Sequence, residues 1–300
     1  MAQAQPDYST LNSELIKVEL KDYIGVITLN RPDIGNLWSD DVAKEVINAF
    51  QTLDGDDLCR VMVITGAGRI FCGGADFRGG KDFASRNTTY PTGEHYLLAR
   101  EGNGTLALQQ LRKPTIAAIN GAAIGIGATF PLNLDIRITH RKNKIGFVFN
   151  RRGINLEAAS SWNLPRLVGH ARAMGIVLRG DIRAAEHPSL RPLWETLVEA
   201  PEDVMPAAMA LAKEIAVQAS VVSNIVNKAL LLHPKDTAGQ QSHLEGTALF
   251  YLGGSADSKE GVQSFLQKRD PKYTSVPSRD VPPFMPWWST PDMSKGKYKL

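Results

Sequence analysis

The sequence predicts an α/β fold in which repeated strand–turn–helix units precede a helical region. Two apolar runs, Val61–Thr65 and Lys113–Ile119, each lead into a glycine-rich turn. Short apolar runs bounded by turn residues are typical of buried strands. The two turns lie about fifty residues apart, roughly the repeat of one strand–helix–strand unit. The pattern becomes helical from Ala158 onward, so we expect the repeated units to run to about residue 155.

Composition and pattern divide the chain into four expected segments. These are a flexible N-terminal tail over residues 1–13, a core of strand–turn–helix units over 14–200, a helical region over 201–269 and an extended proline-rich arm over 270–300. The arm contains Trp287 and Trp288. Because it is too apolar to be simply disordered, we expect it to pack on its own or a neighbouring subunit.

The first elements have clear local signals. The chain alternates and then runs apolar around Lys21-Asp22, which predicts a hairpin with strands Ile16–Leu20 and Ile24–Leu29. Ser39 is a good helix N-cap, since two aspartates follow it in the first turn. The helix that it begins is expected to run to about Leu53.

Later elements follow the same rules. The polar stretch Gly79–Gly93 predicts a lid-like loop over whatever the first glycine turn binds, and Glu94–Arg112 predicts a helix. Ile136–Thr139 and Lys144–Phe147 predict two short strands. Further helices are expected near Ala171–Leu178, Val204–Gln218, Val221–Leu232, Ser242–Leu252 and Lys259–Gln267.

Composition limits the function classes. Lys plus Arg number 34 against 31 Asp plus Glu, a balance that gives no reason to expect a nucleic-acid partner. No apolar run reaches membrane-spanning length, and Met1–Asn12 is too polar for a signal peptide. Cys59 and Cys72 imply no disulfide framework, so an intracellular location is expected. Neither spacing nor composition predicts a metal site.

The two glycine turns are the candidate functional features. A strand that ends in Gly66, Gly68, Gly73 and Gly74 leaves backbone N–H groups bare, and such donors suit a phosphate or a developing oxyanion. The alternative is a tight strand-to-helix connection with no ligand. From these residues alone both interpretations stay open.

Several ordered motifs resemble the crotonase superfamily, which has the enoyl-CoA hydratase/isomerase fold. They are Phe71–Asp76, Lys113–Gly127, Asn30-Arg31-Pro32 with Asn36, and Ser255–Gly261 with Phe265 and Lys268-Arg269, so the resemblance covers roughly residues 14–273. It implies a ClpP-like spiral of β-β-α units with a C-terminal helical region that builds a trimer, often a dimer of trimers. It also implies an acyl-CoA thioester substrate and no cofactor beyond the coenzyme A of that substrate.

The resemblance implies roles for residues in both turns. The backbone N–H groups of Ala75 and Ile126 would stabilise negative charge on the thioester oxygen. Arg78 and Lys81 could pair with the CoA phosphates, although such side chains are more often only solvated. The expected substrate-binding residues are Gly74, Ala75, Asp76, Phe77, Arg78, Ile126, Thr129 and Phe149.

The acid/base residue departs from the hydratase pattern. Hydratases of the superfamily place two glutamates at positions that here fall on Thr129 and Phe149. The segment Gly153–Trp162 instead resembles the P-E-G/A-x-S-S segment of peroxisomal-type Δ3,Δ2-enoyl-CoA isomerases, which use a lone glutamate. That residue is Glu157, and its apolar neighbours Leu156 and Trp162 would raise the pKa of its carboxyl.

Three functions therefore remain in competition. The first is an isomerase that uses Glu157, the second a hydratase in which Glu157 activates water, and the third a non-catalytic CoA-binding or scaffold protein. Glu157 could also be a structural carboxylate paired with Arg151 or Arg152. The last residues, Lys297–Leu300, partly resemble a peroxisomal S-K-L address, so the expected location is peroxisomal or cytoplasmic.

Overall fold

A computed structural model describes residues 7–78 and 102–289 of the chain. The expected lid Gly79–Gly93, the first part of the Glu94–Arg112 helix and the Lys297–Leu300 tail lie outside the described residues. The same holds for Lys81.

The described strands form two sheets. In chain order they are β1 (Ile16–Lys21), β2 (Ile24–Leu29), β3 (Val61–Gly66), β4 (Ile70–Cys72), β5 (Thr115–Ile119), β6 (Ala122–Ile124), β7 (Ile136–His140), β8 (Lys144–Gly146), β9 (Ile182–Ala184) and β10 (Thr196–Val198). One sheet has the order β1-β2-β3-β5-β7-β10, and the other has the order β4-β6-β8-β9. Most neighbouring strands are parallel; the antiparallel pairs are β1–β2 and β8–β9. This mixed α/β architecture confirms the predicted fold class.

The described helices alternate with the strands and then follow them. They are α1 (Asp40–Gly55), α2 (Gly102–Gln109), α3 (Ile126–Thr129), α4 (Ser160–Val168), α5 (His170–Arg179), α6 (Val204–Gln218), α7 (Val221–Leu232), α8 (Ala238–Gly253), α9 (Ala256–Gln267) and α10 (Pro277–Asp280). The predicted cap of α1 is confirmed, because the Ser39 side chain accepts a hydrogen bond from the Val42 N–H.

The larger sheet is covered on both faces. Every residue of β3 is buried, as expected for a central parallel strand that reads as one continuous apolar run. Small residues of α6, such as Ala208 and Ala212, pack on one face. The other face packs against α1 and the smaller sheet through residues such as Phe50 and Phe71. Cys72 and Ala128, one residue from each glycine-turn motif, belong to this second core.

The described part of the N-terminal tail packs against the core. Tyr8–Leu11 form a turn of 3-10 helix, and Tyr8 is buried in the main core. Its hydroxyl donates to Asp56 Oδ2 at 2.5 Å. A buried aromatic ring with a satisfied hydroxyl outweighs the polar composition of the surrounding segment.

Two strands lie where the sequence pattern was helical. Ile182–Ala184 and Thr196–Val198 pair at the edges of the two sheets. Three residues are too few to carry a readable alternation, so these strands form because neighbouring edges offer partners.

The described part of the C-terminal arm packs on helices of its own chain. Val281 and Met285 lie against buried residues of α7. The Trp287 indole N–H donates to the His233 carbonyl at 2.9 Å, and Trp288 stacks on the His233 ring.

Among the described residues, no single helix is both long and apolar enough to cross a membrane. The pair Pro201–Gln218 and Val221–Leu232 passes by length and composition only when taken together, and it is bent by 110° at its break. The described residues also contain no group of three His, Cys, Asp or Glu side chains that could hold a metal ion.

Candidate active site

The two glycine turns contact each other. A Cβ atom at Gly74 would lie 3.2 Å from the Ile124 carbonyl oxygen, and one at Gly127 would lie 2.4 Å from the Cys72 carbonyl oxygen. The Asn120 side chain links the turns further, since its amide nitrogen donates to the carbonyls of Gly66 and Gly68 at 2.9 Å. Glycine is therefore needed here for close backbone approach.

The Ala75 N–H points away from the Trp38 backbone. The Trp38 N–H donates to the Gly74 carbonyl at 2.8 Å, and the Asp76 N–H donates to the Trp38 carbonyl at 2.8 Å. In a trans peptide the C=O and the following N–H point in opposite directions. Because the Gly74 carbonyl faces Trp38, the Ala75 N–H is directed to the other side.

The Ile126 N–H lies at the start of α3. The Gly125 carbonyl accepts hydrogen bonds from the N–H groups of Ala128 and Thr129, at 2.9 and 3.1 Å. By the same planarity argument the Ile126 N–H points out of the first turn of the helix. Gly125 has φ +57°, a conformation that glycine adopts without strain. Ile126 thus keeps its donor although its side chain is large.

The two residues that carry these donors line one cavity. This cavity has a volume of about 710 Å³, and Ala75, Ile126 and Glu157 all line it. Its apolar wall includes Ile47, Leu108, Val148, Phe149 and Ile154. A cavity of this size and character suits a small-molecule ligand with an apolar part.

The backbone around Glu157 is held in an unusual conformation. Ala158 and Ala159, which follow it, have φ values of +52° and +51°, a region that side-chain-bearing residues seldom adopt. The Ser160 hydroxyl donates to the Glu157 carbonyl at 2.6 Å, and the Asn133 amide donates to the Ala158 carbonyl at 2.9 Å. Such strain is typical of functional sites, where surrounding contacts over-determine the backbone.

The Glu157 carboxylate contacts Thr129. The Thr129 hydroxyl donates to Glu157 Oε1. Burial and, to a smaller extent, the negative charge of Glu157 raise the pKa of the Cys72 thiol to about 12. Cys72 is therefore a protonated, inert neighbour of the carboxylate. Arg151, a suggested ion-pair partner of Glu157, instead places its guanidinium 3.3–3.4 Å from the Arg179 carbonyl.

The predicted substrate-binding residues fall into two groups. Gly74, Ala75, Phe77, Ile126 and Phe149 line the cavity. Asp76, Arg78 and Thr129 lie outside its lining.

Thr129 lies outside the lining because its side chain is fully buried behind the wall. Trp162, expected beside Glu157, is instead 60% exposed and has the Arg166 guanidinium over its ring. A helix turn after Ala159 carries it to the surface.

Asp76 and Arg78 form a structural ion pair. Two hydrogen bonds of 2.9 and 2.7 Å join the Arg78 guanidinium to the Asp76 carboxylate, and Arg31 lies 3.3 Å from the same group. The Arg78 guanidinium bonded to Asp76 holds the pKa of that carboxyl well below its usual range. Arg78 is thus already engaged, and its pairing with CoA phosphates stays a prediction.

We expect the Asp76→Asn substitution to lower the free energy of unfolding by about 1 kcal/mol near neutral pH. The folded-state pKa of Asp76 is lowered, so its contribution is complete above the unfolded value of about 3.9 and is lost as the pH falls below it. Urea unfolding at about pH 7 and about pH 3 should therefore show a difference that shrinks in acid. Asp41→Asn, which removes a fully exposed pair with Lys44, is the control; a pH-independent difference for Asp76→Asn would contradict this assignment.

Sequence reasoning missed the aromatic wall of the cavity. Trp38 and Phe130 both line it, with ring centroids 4.8 Å apart, and Phe71 stacks behind Phe130 at 5.8 Å. A backbone bridge joins Trp38 to Ala75, the residue that carries the first donor. The sequence offered one indication of this wall: Trp38 comes two residues after Asn36, which belongs to one of the family motifs.

The model of the family described as enoyl-CoA hydratase/isomerase matches residues 19–276. The chain belongs to this family. It is accordingly an enzyme of the crotonase superfamily, and the predicted membership of that superfamily is confirmed.

Individual relatives agree with this assignment. The enoyl-CoA hydratase AFT3-1 of Alternaria alternata is 39% identical over 254 residues, which are 84% of this chain and 83% of the relative. The 1,2-epoxyphenylacetyl-CoA isomerase of Escherichia coli is 32% identical over 87% of this chain and 98% of the relative. The structure of DspI from Pseudomonas aeruginosa, 30% identical, superposes with a TM-score of 0.76 over 91% of this chain and 100% of that one. A probable enoyl-CoA hydratase/isomerase from Mycobacterium abscessus, 29% identical, also has a TM-score of 0.76, over 87% and 98% of the two chains.

The two positions at which we expect glutamates in a hydratase of this family, 129 and 149, differ in their surroundings in this structure. Phe149 lines the cavity and contributes only apolar surface. Thr129 contacts the Glu157 carboxylate from behind. The Glu157 carboxylate is therefore bonded directly to Thr129, one of the two positions at which the resemblance to hydratases leads us to expect a glutamate.

Proposed function

We propose that this protein is an enoyl-CoA isomerase that uses Glu157 as its single acid/base. The observation that carries the proposal is that Glu157 shares one cavity with Ala75 and Ile126, while positions 129 and 149 hold threonine and phenylalanine. Asp40, another acidic residue of the described lining, is the first residue of α1, where it stabilises the helix dipole.

The N–H groups of Ala75 and Ile126 would hold the thioester oxygen. A backbone donor of this kind typically contributes about 2.7–4 kcal/mol to transition-state stabilisation. The Glu157 carboxylate removes a proton from C2 of a 3-enoyl thioester, and the electron pair is delocalised onto the oxygen as a dienolate. The same carboxyl then returns the proton to C4, which moves the double bond to C2–C3. One base is sufficient for this sequence, and no cofactor besides the CoA of the substrate takes part.

The second candidate is an enoyl-CoA hydratase in which Glu157 activates water. Relatives such as the Alternaria alternata protein are named hydratases, whereas the Escherichia coli relative is named an isomerase. These names support both outcomes. We favour the isomerase because the concerted addition of water needs two glutamates, and this chain has Thr129 and Phe149 at the expected positions.

Product analysis distinguishes the two reactions. The purified protein is incubated separately with 3-enoyl-CoA and with 2-enoyl-CoA esters of several chain lengths, and the products are separated and weighed by mass spectrometry. A 2-enoyl product of unchanged mass from the 3-enoyl ester is expected. A product heavier by one water from the 2-enoyl ester, without isomerisation, would favour the hydratase. Binding of both esters without turnover would favour a CoA-binding protein.

We also propose that the protein assembles as a trimer or a dimer of trimers through its C-terminal helices. Leu249, Phe250, Phe265 and Leu266 on α8 and α9 are 71–81% exposed in the single chain. Clustered apolar exposure of this kind marks an interaction surface.

Replacing both Phe250 and Phe265 with Glu is expected to shift the protein to smaller assemblies, because four-fifths-exposed aromatic side chains would become charged at the contact. Light scattering coupled to size-exclusion chromatography measures the mass. Leu58→Glu, at a 37% exposed position in the turn after α1, is the control. An unchanged mass in the double variant would exclude these helices from the interface.

A further inference from the structure

We infer that Thr129 is a positioning residue, whose hydroxyl holds the Glu157 carboxylate ionised and aligned with the turn that carries the Ile126 N–H. This inference rests on the proposed function, in which Glu157 moves the proton.

The contact is specific to the hydroxyl group. Thr129 Oγ1 lies within hydrogen-bond distance of Glu157 Oε1, and its other acceptors, the carbonyls of Gly125 and Ile126, lie farther away at 3.3 and 3.4 Å. A hydroxyl donates one proton, and the charged acceptor forms the stronger bond. The proton of Thr129 therefore goes to the carboxylate.

Because the Thr129 hydroxyl is buried, solvent does not provide a substitute for it as a hydrogen-bond donor. The Thr129 side chain is 0% exposed, and a valine of similar volume leaves no space in which water could take the place of the hydroxyl. An ionised carboxylate that loses a buried donor is less stable relative to its protonated form. The hydroxyl thus favours the ionised state that accepts the substrate proton.

The contact also joins the base to the oxyanion turn. The Thr129 N–H donates to the Gly125 carbonyl at 3.1 Å, within the helical turn that begins at Ile126. Glu157 lies 28 residues later in the chain and reaches this turn through Thr129. Proton transfer to an enolate requires that base and oxyanion donors keep their relative geometry, and this bond maintains it.

Other titratable and charged groups near the Glu157 carboxylate also influence its pH dependence. Asp40, Lys44 and Arg152 line the same cavity, and the buried Cys72 thiol, whose pKa is raised to about 12, stays protonated. These groups are retained in every variant below, so a change in pH dependence reports on the Thr129 bond.

The test compares Thr129→Val, which removes the hydroxyl, with Thr129→Ser, which keeps it. For Thr129→Val we expect kcat for 3-enoyl-CoA isomerisation to fall at least about tenfold with little change in KM. We also expect the acid limb of the kcat–pH profile to move up by about one pH unit. Thr129→Ser should restore most of both properties. The control is Thr139→Val, which removes another fully buried hydroxyl, bonded to the Ile119 carbonyl at 2.8 Å, and should leave the pH profile unchanged.

Other results would contradict either the role of Thr129 or the proposed function. An unchanged acid limb in folded Thr129→Val, or a serine variant as impaired as the valine variant, overturns the inference. If Thr129→Val does not fold, Thr129→Ala, which adds no atoms, is compared with Thr129→Ser in the same way. The Glu157→Gln variant distinguishes a failure of the proposed function from a failure of the role of Thr129. Full activity in Glu157→Gln overturns the proposed function itself. An inactive Glu157→Gln beside a normal Thr129→Val overturns only the role of Thr129.

Discussion

Replacing Glu157 with Gln is expected to lower kcat for 3-enoyl-CoA isomerisation by about 10²–10⁴-fold, the usual contribution of a positioned acid/base. Glutamine has nearly the same shape but cannot accept the C2 proton. The Thr129 hydroxyl, which donates to Oε1, can still donate to the amide oxygen of glutamine. We therefore expect the thermal stability and the affinity for CoA esters to change little.

Steady-state kinetics give the change in kcat, and calorimetry with a saturated acyl-CoA gives the affinity. The matched control is Glu199→Gln. Glu199 is an exposed carboxylate in an ion pair with Arg141, outside the cavity lining, and its removal should leave kcat unaltered. A Glu157→Gln enzyme that keeps more than about a tenth of wild-type activity would show that another group is the base.

Replacing Gly74 with Ala is expected to impair both catalysis and stability. Gly74 has φ +110°, a conformation that L side chains seldom adopt, and a Cβ there would lie 3.2 Å from the Ile124 carbonyl oxygen. Relaxation of this strain rotates the Gly74–Ala75 peptide, which carries the proposed oxyanion donor. Loss of one such donor corresponds to about 10²–10³ in kcat, and the strained conformation costs about 1–3 kcal/mol of stability.

The control for Gly74→Ala is Gly169→Ala. Gly169 has φ +82° but nothing lies within 4 Å of the added Cβ, and it joins α4 to α5 outside the cavity lining. It should lose stability without loss of kcat. Kinetics and urea unfolding of both variants make the comparison. If folded Gly74→Ala keeps the wild-type kcat, the Ala75 N–H is not an oxyanion donor.

Much of the larger sheet could be predicted from local pattern. Val61–Gly66 is a continuous apolar run that became a fully buried strand, and the hairpin of β1 and β2 matches its predicted bounds to within one residue. Ser39 caps α1 through the side-chain contact that its residue type predicts. These features depend on residues that are close to each other in the sequence.

The smaller sheet is less predictable: the expected strand Lys144–Phe147 corresponds to β8, Lys144–Gly146, but the other three strands have no clear local signal. Its strands β4, β6, β8 and β9 have three residues each, and β4 lies between Gly68 and Gly73, inside the first predicted glycine turn. Short segments of this kind gain strand structure only when a neighbouring edge supplies hydrogen bonds. The sequence showed where the chain turns but not which segments pair after it turns.

The sequence by itself determined the family, the two glycine turns and the choice of Glu157 as candidate base. Each glycine turn and the Glu157 segment is a short run of adjacent residues, and the family follows from several such runs in a fixed order. Only the tertiary structure placed Thr129 against Glu157 and Trp38 against Ala75. It also moved Trp162 to the surface and left Arg78 engaged with Asp76. Local patterns encode backbone conformation and burial, whereas contacts across 28 or 37 positions (129 to 157, 38 to 75) depend on how the sheets and helices pack together.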